Sequence, residues 1–218
     1  MSDRVVPILA TPFGRLALPG AESLNAALRQ RFAERAATQP GAPGSNPLCY
    51  RSPDDLFEWP DPKVQELAQA MLRGVYELVG EISALEEAPL RALTLQARGW
   101  YTIVRPDGCV PAASYPLSAW VAVYCVAAPE PSPTRRDSGM LRLYESRLGT
   151  MFQDASNATM RLPYSSGHYA WRPAPGQIAL FPASVTHEVA LVRAAGELVL
   201  VTARVRFVAP GQTGLSTW

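Results

Sequence analysis

Apolar residues recur at helical spacing near the start of the chain. They stand four positions apart, at Leu24, Leu28 and Phe32. This period predicts an amphipathic helix from Leu24 to Ala36, and Ser23 just before it is a suitable N-cap. Upstream, the run from Val5 to Phe13 predicts a short opening strand, which Pro19 and Gly20 separate from the helix.

A second, longer helix is predicted to begin at Asp61. Aspartate is a common N-cap, and Pro62 follows it at the first helical position, where a backbone N–H is not needed. The apolar positions of this helix form one stripe: Val64, Leu67, Met71, Val75, Leu78 and Ile82. Such a stripe is typical of a helix that packs against a core, and it needs no ligand to explain it.

From Arg91 onward the pattern changes to short apolar or alternating runs bounded by proline, glycine or serine. The runs are Ala92 to Ala97, Trp100 to Val104, Ala119 to Ala127, Met140 to Glu145, Gln177 to Phe181, Glu188 to Arg193 and Leu198 to Val208. Their spacing predicts an antiparallel barrel or sandwich, so the expected fold class is mostly β (α+β). We expect a single domain, with an N-terminal strand and helical cover over residues 1–90, a β-barrel core over 91–208 and a tail over 209–218. The long segment from Ser146 to Pro175 is predicted to be a lid or binding loop.

Composition narrows the function classes. Among 218 residues, 20 basic and 19 acidic side chains give a net charge of +1, which indicates neither nucleic acid nor an anionic membrane as a partner. No apolar run is long enough to cross a bilayer, and we expect no secretion signal. The three cysteines are far apart, which is typical neither of a disulfide framework nor of a zinc site, so we expect a cytoplasmic location. A small-molecule or protein ligand and a homodimer remain open as partners.

One stretch carries a motif. A turn at Pro175-Gly176 leads into an apolar strand that ends in Phe181-Pro182, and His187 follows a few residues later. Together with Val123-Tyr124-Cys125-Val126 and Ser138-Gly139-Met140-Leu141, this phrase resembles the Fe(II)/2-oxoglutarate-dependent oxygenase superfamily, in particular a bacterial group of similar length. The resemblance extends over nearly the whole chain. It implies a double-stranded β-helix, a jelly-roll or cupin-like barrel with the N-terminal helices packed outside.

The resemblance also implies an iron site, from which this chain departs. The superfamily usually holds iron with two histidines and a carboxylate, and two of these ligands lie one residue apart on a strand. Aligned on Pro116, the paired ligands fall at Ala113 and Tyr115, and His187 stands at the third position. Alanine cannot bind iron, and the segment from Cys109 to Trp120 contains no His, Asp or Glu. We therefore expect no cofactor, or Fe(II) and 2-oxoglutarate if the family activity is retained.

The co-substrate position is changed as well. The superfamily binds 2-oxoglutarate with an arginine early in its last strand, and Leu198 occupies that place here. Side chains alternate along a strand, so one face, nominally the inward one, carries Leu198, Leu200, Thr202, Arg204 and Arg206. Arg204 or Arg206 could bind an anion from further along the strand, or both could extend past the barrel rim into solvent.

Other residues are candidates for a pocket wall, namely Tyr115, Tyr124, Leu198 and Thr202. A metal site built from His168, His187 and Glu145 or Glu188 is conceivable, although no spacing supports it. His187 could equally be a relic that packs or hydrogen-bonds at a strand edge. Neither a Gly-X-Ser-X-Gly elbow nor a phosphate-binding glycine loop occurs, so a serine hydrolase and a P-loop protein are not expected.

Three hypotheses for function remain, each from a different class. The first is an oxygenase-like protein that has lost the iron triad and binds a ligand without catalysis. The second is an active 2-oxoglutarate-dependent oxygenase (hydroxylase) with substitute metal ligands, and the third is a metal-free enzyme that reuses the cavity. Loss of two of the three ligands, together with the arginine, favours the first.

Overall fold

The computed structural model of the chain describes residues 9–144, 160–164 and 167–211. In chain order, the elements of this part are β1 (Gly14–Ala17), α1 (Glu22–Thr38), β2 (Cys49–Arg51), a 3-10 helix (Leu56–Glu58), α2 (Pro62–Ile82), α3 (Glu87–Arg91), β3 (Thr94–Val104), β4 (Val110–Ala113), β5 (Trp120–Ala127), β6 (Leu141–Tyr144), β7 (His168–Trp171), β8 (Gln177–Pro182), β9 (His187–Val189) and β10 (Leu198–Val208).

Both predicted helices form. α2 begins as the sequence indicates, because the Asp61 carboxylate accepts hydrogen bonds from the backbone N–H groups of Lys63 (2.8 Å) and Val64 (3.3 Å). The expected cap of α1 is wrong. Ser23 lies inside the first turn, and the N-cap is Ala21, whose side chain makes no capping hydrogen bond. Ala21 is buried, so we attribute the start of this helix to packing rather than to a polar cap.

The opening strand lies later than predicted. Residues 5–8 of the expected run fall outside the described residues, and residues 9–13 form no strand. β1 instead begins at Gly14 and pairs with β8 at one edge of a sheet. Pro12 lacks the backbone N–H that a paired strand residue donates, which explains why pairing starts only after it.

The strands form two antiparallel sheets. The larger has the order β1-β8-β5-β10-β3-β2, and the smaller has the order β4-β9-β6-β7. From β3 to β10 the chain passes repeatedly between the two sheets, which is the arrangement of a double-stranded β-helix. The predicted fold class is therefore confirmed.

The strand bounds differ from prediction in several places. The two expected runs within residues 92–104 merge into the single strand β3, because β10 pairs with it from Thr94 to Val104. β9 ends at Val189, well before the predicted Arg193. The short strands β2, β4 and β7 are not predicted by the sequence pattern, and β7 lies in the segment expected to be a loop. The rest of that segment is described only in part.

The larger sheet separates two apolar cores. Its outer face packs against α1 and α2, where Phe32 stacks on Tyr101 with ring centroids 4.2 Å apart. Its inner face packs against the smaller sheet. β10 contributes to both cores by alternation, with Val199, Val201 and Ala203 on the helix side and Leu198 and Leu200 between the sheets. Across the ranges that the structure describes, no helix has the length and apolar character needed to cross a membrane.

Candidate functional site

A cavity of about 260 Å³ lies between the two sheets. This volume is slightly below the usual range for ligand pockets, which is about 300–1,000 Å³. Most of its wall is apolar and includes Val110, Val123, Leu141, Val189 and Leu200. The polar and charged part of the wall includes Arg51, Thr102, His187, Glu188 and Thr202. Such a wall suits a small, largely apolar ligand that is oriented by a few polar groups.

The structure brings the three expected metal-ligand positions to this cavity. Ala113 on β4 lies directly opposite His187 on β9 in the strand register, and Tyr115 follows just beyond the end of β4. The rings of Tyr115 and His187 meet edge to face, with centroids 5.6 Å apart. All three residues line the cavity. The three positions are therefore neighbours in space, whereas their assignment to metal ligands stays a prediction.

His187 is held as a neutral imidazole. Its side chain is buried against Phe181, with ring centroids 4.8 Å apart. Nδ1 lies 3.0 Å from the Val185 carbonyl oxygen, and because a carbonyl can only accept, Nδ1 carries the proton and donates. Burial lowers the pKa of His187 below its ordinary value, an effect that this hydrogen bond opposes only in part. Nε2 is then a hydrogen-bond acceptor.

The residues at this place do not fit an iron centre. Three donors on one face are needed, and the Ala113 methyl group supplies none. Burial raises the pKa of the Tyr115 phenol, and the nearby guanidinium groups of Arg51 and Arg204 offset this only in part, so the phenol is neutral and a poor metal ligand. Nowhere in the described ranges do three His, Cys, Asp or Glu side chains cluster as a metal site would require.

The alternative metal set is not brought together either. His168 lies on β7 beside Tyr144, and β6 separates it from His187 on β9. The carboxylate of Glu188 accepts hydrogen bonds from Arg142 (3.0 Å) and from the Tyr144 hydroxyl (2.7 Å). Glu145 lies outside the described residues.

The candidate residues on β10 differ in where their side chains lie. Leu200 and Thr202 line the cavity, whereas Leu198 is buried in the inter-sheet core and is not part of the cavity wall. The side chain of Arg204 is 15% exposed, and Arg206 is buried at 8%. The alternative that both arginines extend into solvent is therefore wrong.

Tyr124 does not line the cavity. It is fully buried on the helix side of the larger sheet, where its hydroxyl donates a hydrogen bond of 2.6 Å to Asn25 Oδ1. Its strand neighbours Val123 and Cys125 face the inter-sheet core instead. In a run that is apolar on both faces, the sequence cannot tell which residues face which side, and here the assignment of Tyr124 is wrong.

A cluster of charged and aromatic side chains at the cavity is not predicted by the sequence. Arg51 lies over the ring of Trp100 at 4.4 Å, and Arg204 lies 5.2 Å from the ring centroid of Tyr115. Both guanidinium groups bind Asp54, with Arg204 Nη2 lying 2.6 Å from Oδ2 and Arg51 contacting Oδ1. Asp54 and Arg204 are 150 positions apart in the chain, so no local pattern in the sequence links them.

Comparisons with known proteins support the fold. No protein-family model and no curated protein matches the chain. Among solved structures, it is similar to a Pseudomonas putida prolyl-4-hydroxylase, with a TM-score of 0.57 and 15% identity over 90% of this chain and 92% of that one. It is also similar to HygX from Streptomyces hygroscopicus, solved with nickel and 2-oxoglutarate bound, with a TM-score of 0.58 and 14% identity over 94% of this chain and 85% of that one. A third similar structure is the epimerase SnoN, solved with Fe3+, alpha ketoglutarate and nogalamycin RO, with a TM-score of 0.62 and 8% identity over 90% of this chain and 79% of that one. At these identities, the likeness confirms the double-stranded β-helix fold of 2-oxoglutarate oxygenases and carries no chemistry with it.

Proposed function

We propose that this chain is a metal-independent binding protein for a small molecule, and that the cavity between its sheets is the ligand site. It is an oxygenase-like fold that has lost the iron triad and the co-substrate arginine. One observation carries the proposal: opposite His187, where iron would need further donors, the strand register places the methyl group of Ala113. The cavity itself persists, with a wall of the kind that binds small ligands.

Two other functions would make different use of the same cavity. An oxygenase with substitute ligands would require Fe(II) and 2-oxoglutarate, the kind of ligand set with which similar proteins have been solved. A metal-free enzyme would turn over its ligand rather than release it unchanged. Burial raises the pKa of the Tyr115 phenol, which makes it a poor substitute iron ligand and supports metal-independent binding over an oxygenase.

The test measures metal content, turnover and binding on one preparation. After anaerobic incubation with Fe(II) and desalting, we expect far less than one iron per chain and no formation of succinate from 2-oxoglutarate. We also expect a screen of small carboxylic acids and amides to yield compounds that raise the melting temperature. Stoichiometric iron with succinate formation would overturn the proposal in favour of an oxygenase.

A matched pair of variants locates the binding. Ala113→Leu places a larger side chain in the cavity wall and should abolish the ligand-dependent rise in melting temperature. Ala119→Leu makes the same change at an exposed position just before β5 and should leave the rise intact. If Ala113→Leu binds as the unmodified protein does, the ligand site lies elsewhere.

A further inference from the structure

We propose that the ligand is a small, uncharged carboxamide with an apolar body, and that the imidazole of His187 accepts a hydrogen bond from its N–H group. This inference rests on the proposed function and adds the chemical class of the ligand. The side chains that would touch the ligand all belong to the cavity wall.

His187 offers the ligand a hydrogen-bond acceptor. Its Nδ1 donates to the Val185 carbonyl oxygen, 3.0 Å away, so Nε2 carries a lone pair. Within the part of the chain that the structure describes, Nε2 has no hydrogen-bond partner, and it is not among the polar atoms that are fully enclosed without one. The residue directly opposite, Ala113, has only a methyl group to present. A ligand N–H would therefore satisfy an acceptor that these residues leave unpaired.

The facing wall of the cavity offers hydroxyl groups. Thr102 on β3 and Thr202 on β10 line the cavity from the larger sheet, whereas His187 lines it from the smaller one. Neither threonine hydroxyl forms a hydrogen bond to another residue of the described ranges, and a hydroxyl can donate as well as accept. Sheets packed face to face lie about 10 Å apart, so one small ligand can contact both walls.

A carboxamide fits this arrangement of donors and acceptors. Its N–H donor and its carbonyl acceptor are on different atoms, so it can donate to His187 while its oxygen accepts from a threonine of the facing wall. An alcohol has both functions on a single oxygen, and a ketone lacks the donor. The apolar part of the wall then buries the body of the ligand, which is favourable.

The charged side chains of the wall favour a ligand without a charge. They are Arg51 and Glu188, and each has a partner of opposite charge. Arg51 contacts the carboxylate of Asp54. Arg142 Nη1 lies 3.0 Å from Glu188 Oε1. A carboxylate or an ammonium ligand would lose its hydration on entering the cavity and would have to compete with these pairs, which an uncharged amide avoids.

The experiment compares three ligands of similar size by isothermal titration calorimetry at pH 7.5. Acetophenone has a methyl group where benzamide has its amide nitrogen, so it leaves Nε2 of His187 unpaired. We expect benzamide to bind about tenfold more tightly than acetophenone, because a buried acceptor without a partner is costly. Benzoate should bind at least about tenfold more weakly than benzamide, because its charge must be desolvated.

A matched pair of variants tests the role of His187. His187→Leu removes the acceptor and keeps a side chain of similar size. It should lower the affinity for benzamide about tenfold, to the level of acetophenone, and leave the affinity for acetophenone unchanged. His168→Leu makes the same change at an exposed position outside the cavity wall, and its affinity for benzamide should not change.

The outcomes separate this inference from the proposed function. Acetophenone binding as tightly as benzamide, or benzoate binding more tightly, would overturn the carboxamide assignment and leave the binding function standing. Unchanged benzamide affinity in His187→Leu would overturn the role of His187. Absence of binding by all three ligands and by every compound of the thermal screen would overturn both proposals. If His187→Leu loses its native circular dichroism spectrum, the comparison of benzamide with acetophenone on the unmodified protein still decides the question.

Discussion

Introducing metal ligands at positions 113 and 115 tests the geometry of the cavity directly. The double variant Ala113→His and Tyr115→Asp would place a second histidine and a carboxylate beside His187. Ala113 and His187 are directly opposite each other in an antiparallel pair, where Cβ atoms are about 4.5–5.5 Å apart. Two imidazoles at this separation can reach a shared metal, whose bonds to nitrogen are about 2.0–2.1 Å long.

The loss of stability on replacing Tyr115 can be worked from the contacts of its ring. Its ring packs edge to face on Trp100 (5.5 Å) and on His187 (5.6 Å), and such pairs contribute about 0.5–1.5 kcal/mol each. Its contact with Arg204 adds about 0.5–1 kcal/mol. The metal-free double variant should therefore be about 1.5–4 kcal/mol less stable than the unmodified protein. Position 113 faces a cavity rather than packed atoms, so the added imidazole should not overpack the core.

Metal binding should recover much of this loss. A metal present at about 100 times its Kd stabilises the folded state by about 2.7 kcal/mol. For a chain of this length, about 2–4 °C in Tm corresponds to 1 kcal/mol, so the expected rise is about 5–11 °C. Differential scanning calorimetry with and without Ni2+, an air-stable substitute for Fe(II), measures it, and calorimetric titration gives the Kd.

Controls decide whether the metal occupies the intended site. Adding His187→Ala to the double variant should abolish the rise in Tm, and the unmodified protein should show none. A rise that survives His187→Ala would place the metal elsewhere. No rise in a double variant with native circular dichroism would mean that positions 113 and 115 do not face His187. Either result would refute the assignment of these positions.

Three further predictions concern the stability of the unmodified fold. Burial lowers the pKa of His187 in the folded state, so at low pH the unfolded chain binds more protons than the folded one. The free energy of unfolding should therefore fall as the pH decreases below about 6.5, by at most about 1.4 kcal/mol per pH unit. Urea titrations between about pH 5 and pH 7.5 should show that His187→Gln reduces this pH dependence. Asp61→Ala removes the side-chain cap of α2 and should cost about 1 kcal/mol in chemical denaturation. Gly108→Ala would place a methyl carbon 2.2 Å from the Leu48 carbonyl oxygen, so it should lower the free energy of unfolding by about 2 kcal/mol or more. Gly80→Ala lies within α2, where alanine favours the helix more than glycine does, and it should raise the free energy of unfolding by about 0.5–1 kcal/mol.

Matched variants make these measurements specific. Asp61→Asn retains an oxygen acceptor at the cap and should lose less stability than Asp61→Ala. An unchanged pH profile in His187→Gln, or equal losses for the two Asp61 variants, would contradict the respective explanation.

Local patterns in the sequence determined the two long helices, the faces of the last strand and the fold class. The cap at Asp61, the stripe along α2 and the alternation along β10 each depend on residues that are near in sequence and share one element. The motif that ends at His187 identified the fold, and the absence of donors around Ala113 could be read directly from the chain. These features are predictable because the period of a helix or strand is a local property.

Only the tertiary structure decided which side chains meet at the cavity. Asp54 and Arg204 are 150 positions apart and pair across β2, β3 and β10. β2 is three residues long, too short to show a period, so nothing local places Arg51 beside Trp100. Tyr124 is a second example of what sequence cannot decide. Alternation sorts the residues of a strand into two faces, but it does not say which face packs against the helices. That choice follows from how the two sheets and the helices pack against one another, because burial is a property of the assembled fold.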